Sequence, residues 1–378
     1  MKKIVFIGLS GGVDSAVSAA LLKKQGYEVV GVFIRTWHPD FLECNEEEER
    51  QDAMRVAAHL DIPFFTFDLA DVYKKEVADY MIAEYKAGRT PNPDVMCNKE
   101  VKFGAFLKKA ISMGADYVAT GHYAQVYDTP FNFELPEGPT PVLRGRAQGR
   151  KIGRDGIELH KSIDPSKDQS YFLWTLRQEQ LKKILFPIGH LKKSEVRKLA
   201  KKFNLPVAEK KDSQGICFLG AVDLKDFLKH YIKEKKGKVK NEKGKEIGFH
   251  NGVVFHTLGE RHGFTITKKG SNDKRYYIIK KDIKKNILFV SNSEGFLPDK
   301  GGLREVVLNN VNWIFEIPKP NKEYTAQIRY HSEFLSCKIL SGVGHPTEVI
   351  FEKPVLVASG QSCVIYDKNV CLGGGVVV

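Results

Sequence analysis

The chain opens on Lys2-Lys-Ile-Val-Phe-Ile-Gly-Leu-Ser-Gly-Gly-Val-Asp-Ser15, and this stretch decides the fold. Its apolar, β-branched first half is typical of a buried parallel strand, and residues 14–24 have the apolar spacing of a helix. A glycine pair between them directs backbone N–H groups and a helix N-terminus at one point, which suits a phosphate. The alternative is a tight turn without a ligand. Hydroxyl and carboxyl groups at Ser10, Asp14 and Ser15 favour the nucleotide site.

The loop is not a Walker A motif, because no Gly-Lys-Ser/Thr triplet follows its glycines. It resembles the pyrophosphate loop of the N-type ATP pyrophosphatases, which cleave ATP between the α and β phosphates and adenylate an oxygen. The resemblance implies that the nucleotide is ATP, with Mg²⁺ on its phosphates.

Charge is distributed unevenly along the 378 residues, a length that predicts two or three domains. Residues 1–126 hold 15 Lys/Arg and 18 Asp/Glu, whereas the remaining 252 residues hold 44 and 28. A near-neutral nucleotide domain followed by a basic remainder indicates a polyanionic partner. Charge alone leaves a lysine-rich, solvated surface as the alternative.

The six cysteines are scattered without a Cys-x-x-Cys pair, which opposes a structural zinc site and a secreted disulfide framework. We therefore predict no metal site. The sequence contains no apolar run of membrane-spanning length and no signal peptide, so we expect a cytoplasmic protein without a membrane partner. In a reducing compartment, a cysteine with a role is expected to do chemistry.

Strand and helix patterns alternate over the first 125 residues. This alternation predicts an α/β, doubly wound parallel sheet with its ligand crevice at the carboxyl ends of the strands. Residues 129–157 lack periodicity and are predicted to be an inserted loop, while helical patterns resume at 170–183 and 194–202. Short strands dominate after about residue 223. The predicted domains are an N-type ATP pyrophosphatase domain over 1–222, a small β-rich central domain over 223–290, and a C-terminal β-barrel over 291–378.

A second informative stretch is Thr90-Pro-Asn-Pro-Asp-Val-Met-Cys97. Its prolines predict an extended loop that leads into a helix starting near Asn98. A thiol just before a helix N-terminus is stabilised as a thiolate by the dipole and by unpaired N–H groups. Asp94 could handle protons in the same cleft. The alternative for Cys97 is a small, semi-buried loop residue.

Cys217 lies in the glycine-bracketed stretch Asp212-Ser-Gln-Gly-Ile-Cys-Phe-Leu-Gly220, whose composition is turn-like and unlike that of a core strand. It is therefore the second cysteine predicted to lie in a loop. Two such cysteines, 120 residues apart on a chain that also carries a pyrophosphate loop, indicate a coupled sulfur reaction.

Seven stretches in fixed order carry a more specific resemblance. They are Gly8-Leu-Ser-Gly-Gly-Val-Asp-Ser15, Pro91-Asn-Pro-Asp94 with Cys97-Asn-Lys99, Gly121-His-Tyr123, Lys167-Asp-Gln-Ser-Tyr-Phe172, Phe186-Pro-Ile-Gly189, Asp212-Ser-Gln-Gly-Ile-Cys217 and Gly360-Gln-Ser362. With them the chain resembles the bacterial and mitochondrial tRNA-specific 2-thiouridylases over nearly its whole length. That resemblance implies ATP-dependent 2-thiolation of the wobble uridine, position 34, of tRNA.

The resemblance also implies roles for individual residues. ATP would contact Gly8, Leu9, Ser10, Gly11, Gly12, Val13, Asp14, Ser15, Ile34 and Gly121. Asn92, Pro93 and Asp94 would hold the target base, Cys97 would be the nucleophile, and Cys217 would carry a persulfide. The tRNA would contact His122, Lys167, Asp168, Gln169, Arg329, Tyr330 and Gln361.

The implied chemistry begins by adenylating uracil O2, because this oxygen is otherwise a poor leaving group. Sulfur from Cys217 would then replace it, either directly or as hydrosulfide freed when Cys97 attacks the persulfide. A transient Cys97–Cys217 disulfide would follow and require reduction. The partners would be a tRNA anticodon stem-loop and a persulfide-donor protein, and we predict a monomer.

Two other functions are open at this point: an N-type synthetase that makes an amide or amidine, such as those making GMP or NAD, and a non-catalytic nucleotide- or RNA-binding module. The two thiols oppose the synthetase, because nitrogen transfer needs no second thiol. A binding module would release no AMP from ATP and tRNA.

One departure from the family is Thr257-Leu-Gly-Glu-Arg-His-Gly-Phe264, where the family commonly has Thr-Ile-Gly-Gln-Arg-Lys-Gly-Leu. We expect this exchange to affect local tRNA contacts, not the chemistry.

Overall fold

The structure of the protein is a computed structural model. It describes residues 2–42, 45–129, 145–146, 156–212, 223–268, 275–292, 302–340 and 346–378. Cys217 and most of the predicted 129–157 loop lie outside these ranges.

A five-stranded, wholly parallel sheet forms the N-terminal part. Its strands, in spatial order, are Phe64–Asp68, Glu28–Arg35, Ile4–Gly8, Tyr117–Ala119 and Ile184–Leu185. The winding direction reverses between Ile4–Gly8 and Tyr117–Ala119. Ligand crevices of doubly wound sheets lie at the carboxyl ends of the strands beside such a switch point. The predicted fold is confirmed, and the glycine loop starts at this edge.

Helices cover both faces of the sheet, and consecutive strand residues serve different cores. Val5 and Ile7 belong to the hydrophobic cluster around the first helix, while Phe6 belongs to the cluster on the opposite face. The simple helices are Val13–Lys24, Glu46–His59, Gln178–Leu181, Lys193–Lys202 and Leu224–Lys229. Two longer helices have a π-helical middle. The first consists of Ala70–Tyr73, π-helical Lys74–Asp79 and Tyr80–Lys86, and the second of Pro93–Met96, π-helical Cys97–Phe106 and Leu107–Ser112.

The continuous helix predicted over 170–183 is wrong. A 3₁₀ turn, Ser170–Leu173, is separated from the short helix Gln178–Leu181. The turn presents Tyr171 and Trp174 to the C-terminal barrel, where both bond to Ser362, at 3.0 Å and 3.1 Å. Tertiary contacts therefore override the local helical pattern here.

The central part is a small five-stranded sheet, as predicted. Its strands, in spatial order, are Phe264–Ile266, Glu246–His250, Gly237–Asn241, Ile287–Ser291 and Tyr277–Asp282, with a 3₁₀ turn at Val253–Phe255. Val239, Ile278 and Leu288 are fully buried at its core.

Six C-terminal strands form a closed barrel, which confirms the predicted β-barrel. In spatial order they are Leu303–Trp313, Thr347–Val355, Leu335–Leu340, Glu323–Gln327, Ser362–Asp367 and Val370–Val377, and the first pairs with the last. Strands Gly156–Lys161, Ala124–Thr129 and Gly145–Arg146 extend this sheet. These strands border or interrupt the predicted loop and join the N-terminal part to the barrel. In the described part of the chain, no helix is long and apolar enough to cross a membrane.

Candidate active site

The glycine loop is shaped to present backbone N–H groups. Gly11 has a φ of +71°, and a Cβ there would lie 2.5 Å from the Glu49 carbonyl oxygen, so a side chain is excluded. Gly12 caps the first helix without a side-chain oxygen that could bond to its N-terminal N–H groups. Ser15 Oγ donates to the Gly12 carbonyl at 3.1 Å and accepts from the Ser10 N–H at 3.2 Å. The loop is therefore preorganised for an anion.

Gly121 and Ile34 border this loop at the same edge of the sheet. A Cβ on Gly121 would lie 2.7 Å from the Ser15 backbone nitrogen, so Gly121 allows close approach of the fourth strand to the helix N-terminus. Ile34, near the end of the second strand, is buried, and its Cδ1 would lie 4.0 Å from a Cβ on Gly8. The structure thus brings together the sequence-predicted ATP-binding residues.

A charged network lies beside the loop, and sequence reasoning missed it. Lys193 Nζ bonds to Asp14 Oδ1 and Oδ2 at 2.8 Å and 2.9 Å, and to Asp212 Oδ1 at 2.9 Å. Asp212 also pairs with Lys167 at 3.0 Å and with Arg197 at 2.6 Å. Burial alone would raise the pKa of Asp212, but these cations outweigh burial and hold it well below its ordinary range.

The stretch around Cys97 differs from its prediction. The helix begins at Pro93, not near Asn98, because Asn92 Oδ1 accepts the Val95 N–H at 3.1 Å and Pro93 occupies the first helical position. Cys97 therefore lies in the second turn of the helix, where it is fully buried, and not in a loop. Asp94 lies in the first turn. The N-terminal dipole acts mainly on the first turn, so it offers Cys97 less support than expected.

Two other parts of the fold, the barrel and the central part, hold the segment before Cys97. The Thr90 N–H donates to the Ser359 carbonyl of the barrel at 2.8 Å, and Thr90 Oγ1 lies 3.1 Å from Thr257 Oγ1 of the central part. Lys281 Nζ donates to the Gly88 carbonyl at 3.0 Å. Gly360, in one of the family motifs, packs against Thr90, with 3.0 Å between a would-be Cβ and the Thr90 N and O atoms.

Family descriptions match three consecutive parts of the chain. Residues 3–221 match the tRNA methyl transferase HUP domain, 225–292 the tRNA methyl transferase PRC-barrel domain, and 303–377 the Aminomethyltransferase beta-barrel domain. The chain is 41% identical to the tRNA-specific 2-thiouridylase MnmA of Listeria monocytogenes, over 99% of this chain and 94% of that protein. This chain belongs to the tRNA-specific 2-thiouridylase family.

A second relative, the tRNA-specific 2-thiouridylase MnmA of Streptococcus thermophilus, is 42% identical over 100% of this chain and 95% of its own length. The family resemblance and the enzyme class, a tRNA sulfurtransferase, are confirmed. Among solved structures, a 4-thiouridine synthetase in complex with RNA and ATP covers 58% of this chain and 46% of its own. Its identity is 19% and its TM-score 0.33, which is too low to support an argument.

The predicted tRNA contacts divide into two groups in this family member. His122 is buried against Phe103 and Phe186, its Nδ1 lies 2.7 Å from Thr120 Oγ1, and burial lowers its pKa well below the ordinary value. Gln169 bonds twice to the Tyr123 backbone, both times at 2.9 Å. His122 and Gln169 therefore fix the chain locally.

Asp168 and Gln361 also form hydrogen bonds with residues close to them in the sequence. Asp168 accepts from the Ser162 N–H and from Ser170, and Gln361 Oε1 accepts the Ala358 N–H at 3.1 Å. Arg329 reaches the Leu258 carbonyl at 2.6 Å and so ties the barrel to the central part.

Lys167 and Tyr330 form the second group, and both residues are partly exposed. The Lys167 side chain is 38% exposed. The Tyr330 ring stacks on His331 at a centroid distance of 3.9 Å and contacts the tilted ring of Phe172 at 4.3 Å. Burial raises the pKa of Tyr330 to about 12, and the negative charges of Asp168 and Asp94 contribute smaller increases.

Three further cysteines lie in the C-terminal barrel. Cys337, Cys363 and Cys371 are buried in the barrel strands, and burial raises the pKa of Cys337 and of Cys371 to about 12. Their apolar, buried surroundings disfavour the reactive thiolate form, as expected for structural cysteines. Cys44 and Cys217 lie outside the described residues. Among the described residues, no group of three or more His, Cys, Asp or Glu could hold a metal ion.

Glu260, which stands where the family commonly has Gln, has a structural role. Lys225 Nζ donates to it at 2.6 Å and the Thr257 N–H at 3.0 Å. Burial alone would raise its pKa, but the nearby His256 ring, 3.5 Å away, and the hydrogen bonds from Lys225 and Thr257 outweigh burial and lower the pKa to about 2. A carboxylate in place of the family's amide is thus matched by cations of the central part.

Replacing Glu260 with Gln is expected to lower the free energy of unfolding by about 2 kcal/mol at pH 7. The folded pKa is depressed, so this contribution is complete above the ordinary value near 4.5 and declines as the pH falls towards 2. Urea unfolding of both proteins from pH 7 to pH 3 measures it. The exposed Glu246→Gln is the control and should leave stability nearly unchanged. A pH-independent difference would contradict the ionic explanation.

Proposed function

We propose that this chain 2-thiolates uridine 34 of tRNA in an ATP-dependent reaction. The observation that carries the proposal is a loop preorganised for an anion, in a chain that matches 2-thiouridylases over nearly its full length. ATP would bind along Gly8–Ser15, with Ile34 and Gly121 beside it. The loop N–H groups would hold the pyrophosphate side and favour its departure.

Mg²⁺ would arrive on the ATP phosphates. Asp14 and Asp212 are carboxylates near the loop, but both are ion-paired with Lys193. Among the described residues, these two carboxylates therefore do not form a separate oxygen cage for Mg²⁺. The ion would keep its water and phosphate ligands, as Mg²⁺ usually does.

The target uracil would be held by Asn92, Pro93 and Asp94, with Asp94 as general acid/base. O2 attacks the α-phosphorus of ATP, the bond to the bridging oxygen breaks, and pyrophosphate leaves. Sulfur then forms a bond to C2, and AMP leaves with the former O2. The wobble base has to leave its stack for this reaction, as bases generally do when enzymes modify them.

Two sulfur routes fit these residues. In the hydrosulfide route, the Cys97 thiolate attacks Sγ of Cys217, forms the disulfide and frees hydrosulfide, which attacks C2. In the direct route, the terminal sulfur of Cys217 attacks C2, and Cys97 then attacks Sγ of Cys217 and releases the thiolated base. Both routes end in a Cys97–Cys217 disulfide and require a two-electron reductant before the next turnover.

For tRNA binding, we propose direct contacts from Lys167 and Tyr330 and an indirect role for His122, Asp168, Gln169 and Gln361. Arg329 would hold the barrel against the central part. The domain limits 1–222, 223–290 and 291–378 stay predictions, as do the persulfide-donor protein, the monomeric state and the cytoplasmic location.

The deciding experiment is mass spectrometry of tRNA nucleosides after incubation of the full chain with ATP, tRNA and a persulfide donor. We expect 2-thiouridine at position 34 only when all three are present. Thiolation without ATP would contradict the adenylation step. Unmodified tRNA despite a loaded persulfide would contradict the proposed function.

Binding of tRNA is expected to weaken steeply with salt, because lysines and arginines beyond residue 126 displace counterions from phosphates. We expect at least a roughly tenfold loss of affinity between 50 and 200 mM salt, as several phosphate contacts require. Filter binding or fluorescence anisotropy of the full chain measures it. An affinity that is constant over this range would reduce the basic surface to a role in solubility.

A further inference from the structure

Lys193 brings a cation to the pyrophosphate loop from an element far along the chain. It is the first residue of the helix Lys193–Lys202, while Asp14 is the second residue of the helix Val13–Lys24. Its ammonium lies 2.8 Å and 2.9 Å from the two Asp14 oxygens. The cation is thus held beside the first turn of the helix that follows the glycine loop.

The charges of the network allow Lys193 to exchange one carboxylate for a phosphate. Asp14, Asp212 and Asp164, which accepts the Lys193 backbone N–H at 2.9 Å, are balanced by the cations Lys193, Lys167 and Arg197. Asp212 has two other cationic partners, so it does not require Lys193 for neutralisation. An ammonium has three N–H donors, and three carboxylate oxygens, two of Asp14 and one of Asp212, surround that of Lys193. A phosphate oxygen would replace the Asp212 contact, because Asp212 keeps its other two cations.

The position of the ammonium is also well defined. The Lys193 side chain is 15% exposed, and the Tyr123 hydroxyl donates to Asp14 Oδ1 at 2.8 Å, which fixes the carboxylate that holds the ammonium. A charge held in place before reaction stabilises developing charge without reorganisation.

We infer that Lys193 binds the pyrophosphate moiety of ATP and stabilises it as it leaves. This inference rests on the proposed use of ATP at the Gly8–Ser15 loop. As O2 of the uracil bonds to the α-phosphorus, the bridging oxygen takes the electron pair of the breaking bond. The resulting negative charge on pyrophosphate is met by the Lys193 ammonium, which keeps its proton throughout.

Lys193→Gln tests this role, with Lys193→Arg as the charge-retaining variant and the exposed neighbour Lys192→Gln as the matched control. Adenylation is followed as label passing from the α-phosphate of ATP into tRNA and AMP. Binding of pyrophosphate and of AMP is measured separately by calorimetry. Circular dichroism and tRNA affinity verify that each variant is folded.

We expect Lys193→Gln to slow adenylation about 100-fold, as loss of one donor to a developing anion does elsewhere. Pyrophosphate should bind about tenfold more weakly, with AMP and tRNA affinities unchanged, and Lys193→Arg should recover part of both losses. Lys192→Gln should match the unaltered chain.

Slow adenylation with unchanged pyrophosphate affinity would make Lys193 a structural link between two helices and overturn the inference. Unchanged adenylation in Lys193→Gln would overturn it as well and leave the proposed function intact. If the unaltered chain transfers no label from ATP in the presence of tRNA, the proposed function itself is wrong, and the inference that rests on it fails with it.

Discussion

Cys97→Ser and Cys217→Ser are each expected to abolish 2-thiouridine formation, while pyrophosphate release from ATP and tRNA continues for at least one turnover. Both thiols take part in sulfur delivery, but neither is needed for adenylation at the loop. Nucleoside mass spectrometry measures the first property and a pyrophosphate assay the second. Surviving adenylation also shows that the Cys97→Ser protein is folded, which matters because Cys97 is fully buried.

Cys363→Ala is the matched control, since Cys363 is also buried and burial raises the pKa of its thiol. It should thiolate tRNA nearly as well as the unaltered chain. Full thiolation by Cys217→Ser would refute the sulfur relay.

The Cys97→Ser variant also separates the two sulfur routes. The direct route leaves tRNA joined to Cys217 through a disulfide that a thiol reductant releases. The hydrosulfide route leaves an intact persulfide on Cys217 and no covalent tRNA. Either route requires the Cys97 and Cys217 Cα atoms to approach within about 7 Å when the disulfide forms.

Asp14→Ala is expected to slow adenylation about 100-fold while changing tRNA affinity less than about twofold. Without its carboxylate, the Lys193 ammonium keeps only Asp212 and moves away from the loop, and small misplacements of catalytic groups carry costs of this size. Labelled ATP measures the rate and identifies the products. The unaltered chain should give AMP and pyrophosphate.

Asp116→Ala provides the control for this prediction, because Asp116 pairs with Lys3 at 2.9 Å and binds the Ile4 N–H at the opposite, amino end of the sheet. It should leave adenylation unchanged. Formation of ADP in the presence of tRNA would contradict the pyrophosphatase assignment. A normal rate in Asp14→Ala would remove Asp14 from the mechanism.

The sequence by itself determined the parallel sheet, the glycine loop and the family. These rest on local signals: a β-branched apolar run, a glycine pair in which Gly11 leaves no room for a side chain, and motifs in fixed order. The start of the helix at Pro93 is also predictable from the local sequence, since Asn followed by Pro is a helix N-terminal signature. The prediction of a longer extended loop from the two prolines is what misplaces Cys97.

Only the tertiary structure decided which distant residues complete the site. Lys193 is 179 residues from Asp14, and Thr90 is held by Ser359 and Thr257, which come from the other two parts of the fold. The burial of His122 likewise depends on Phe103 and Phe186. Such contacts are set by strand order and by docking of separately formed sheets, and no periodicity or spacing within one segment encodes them.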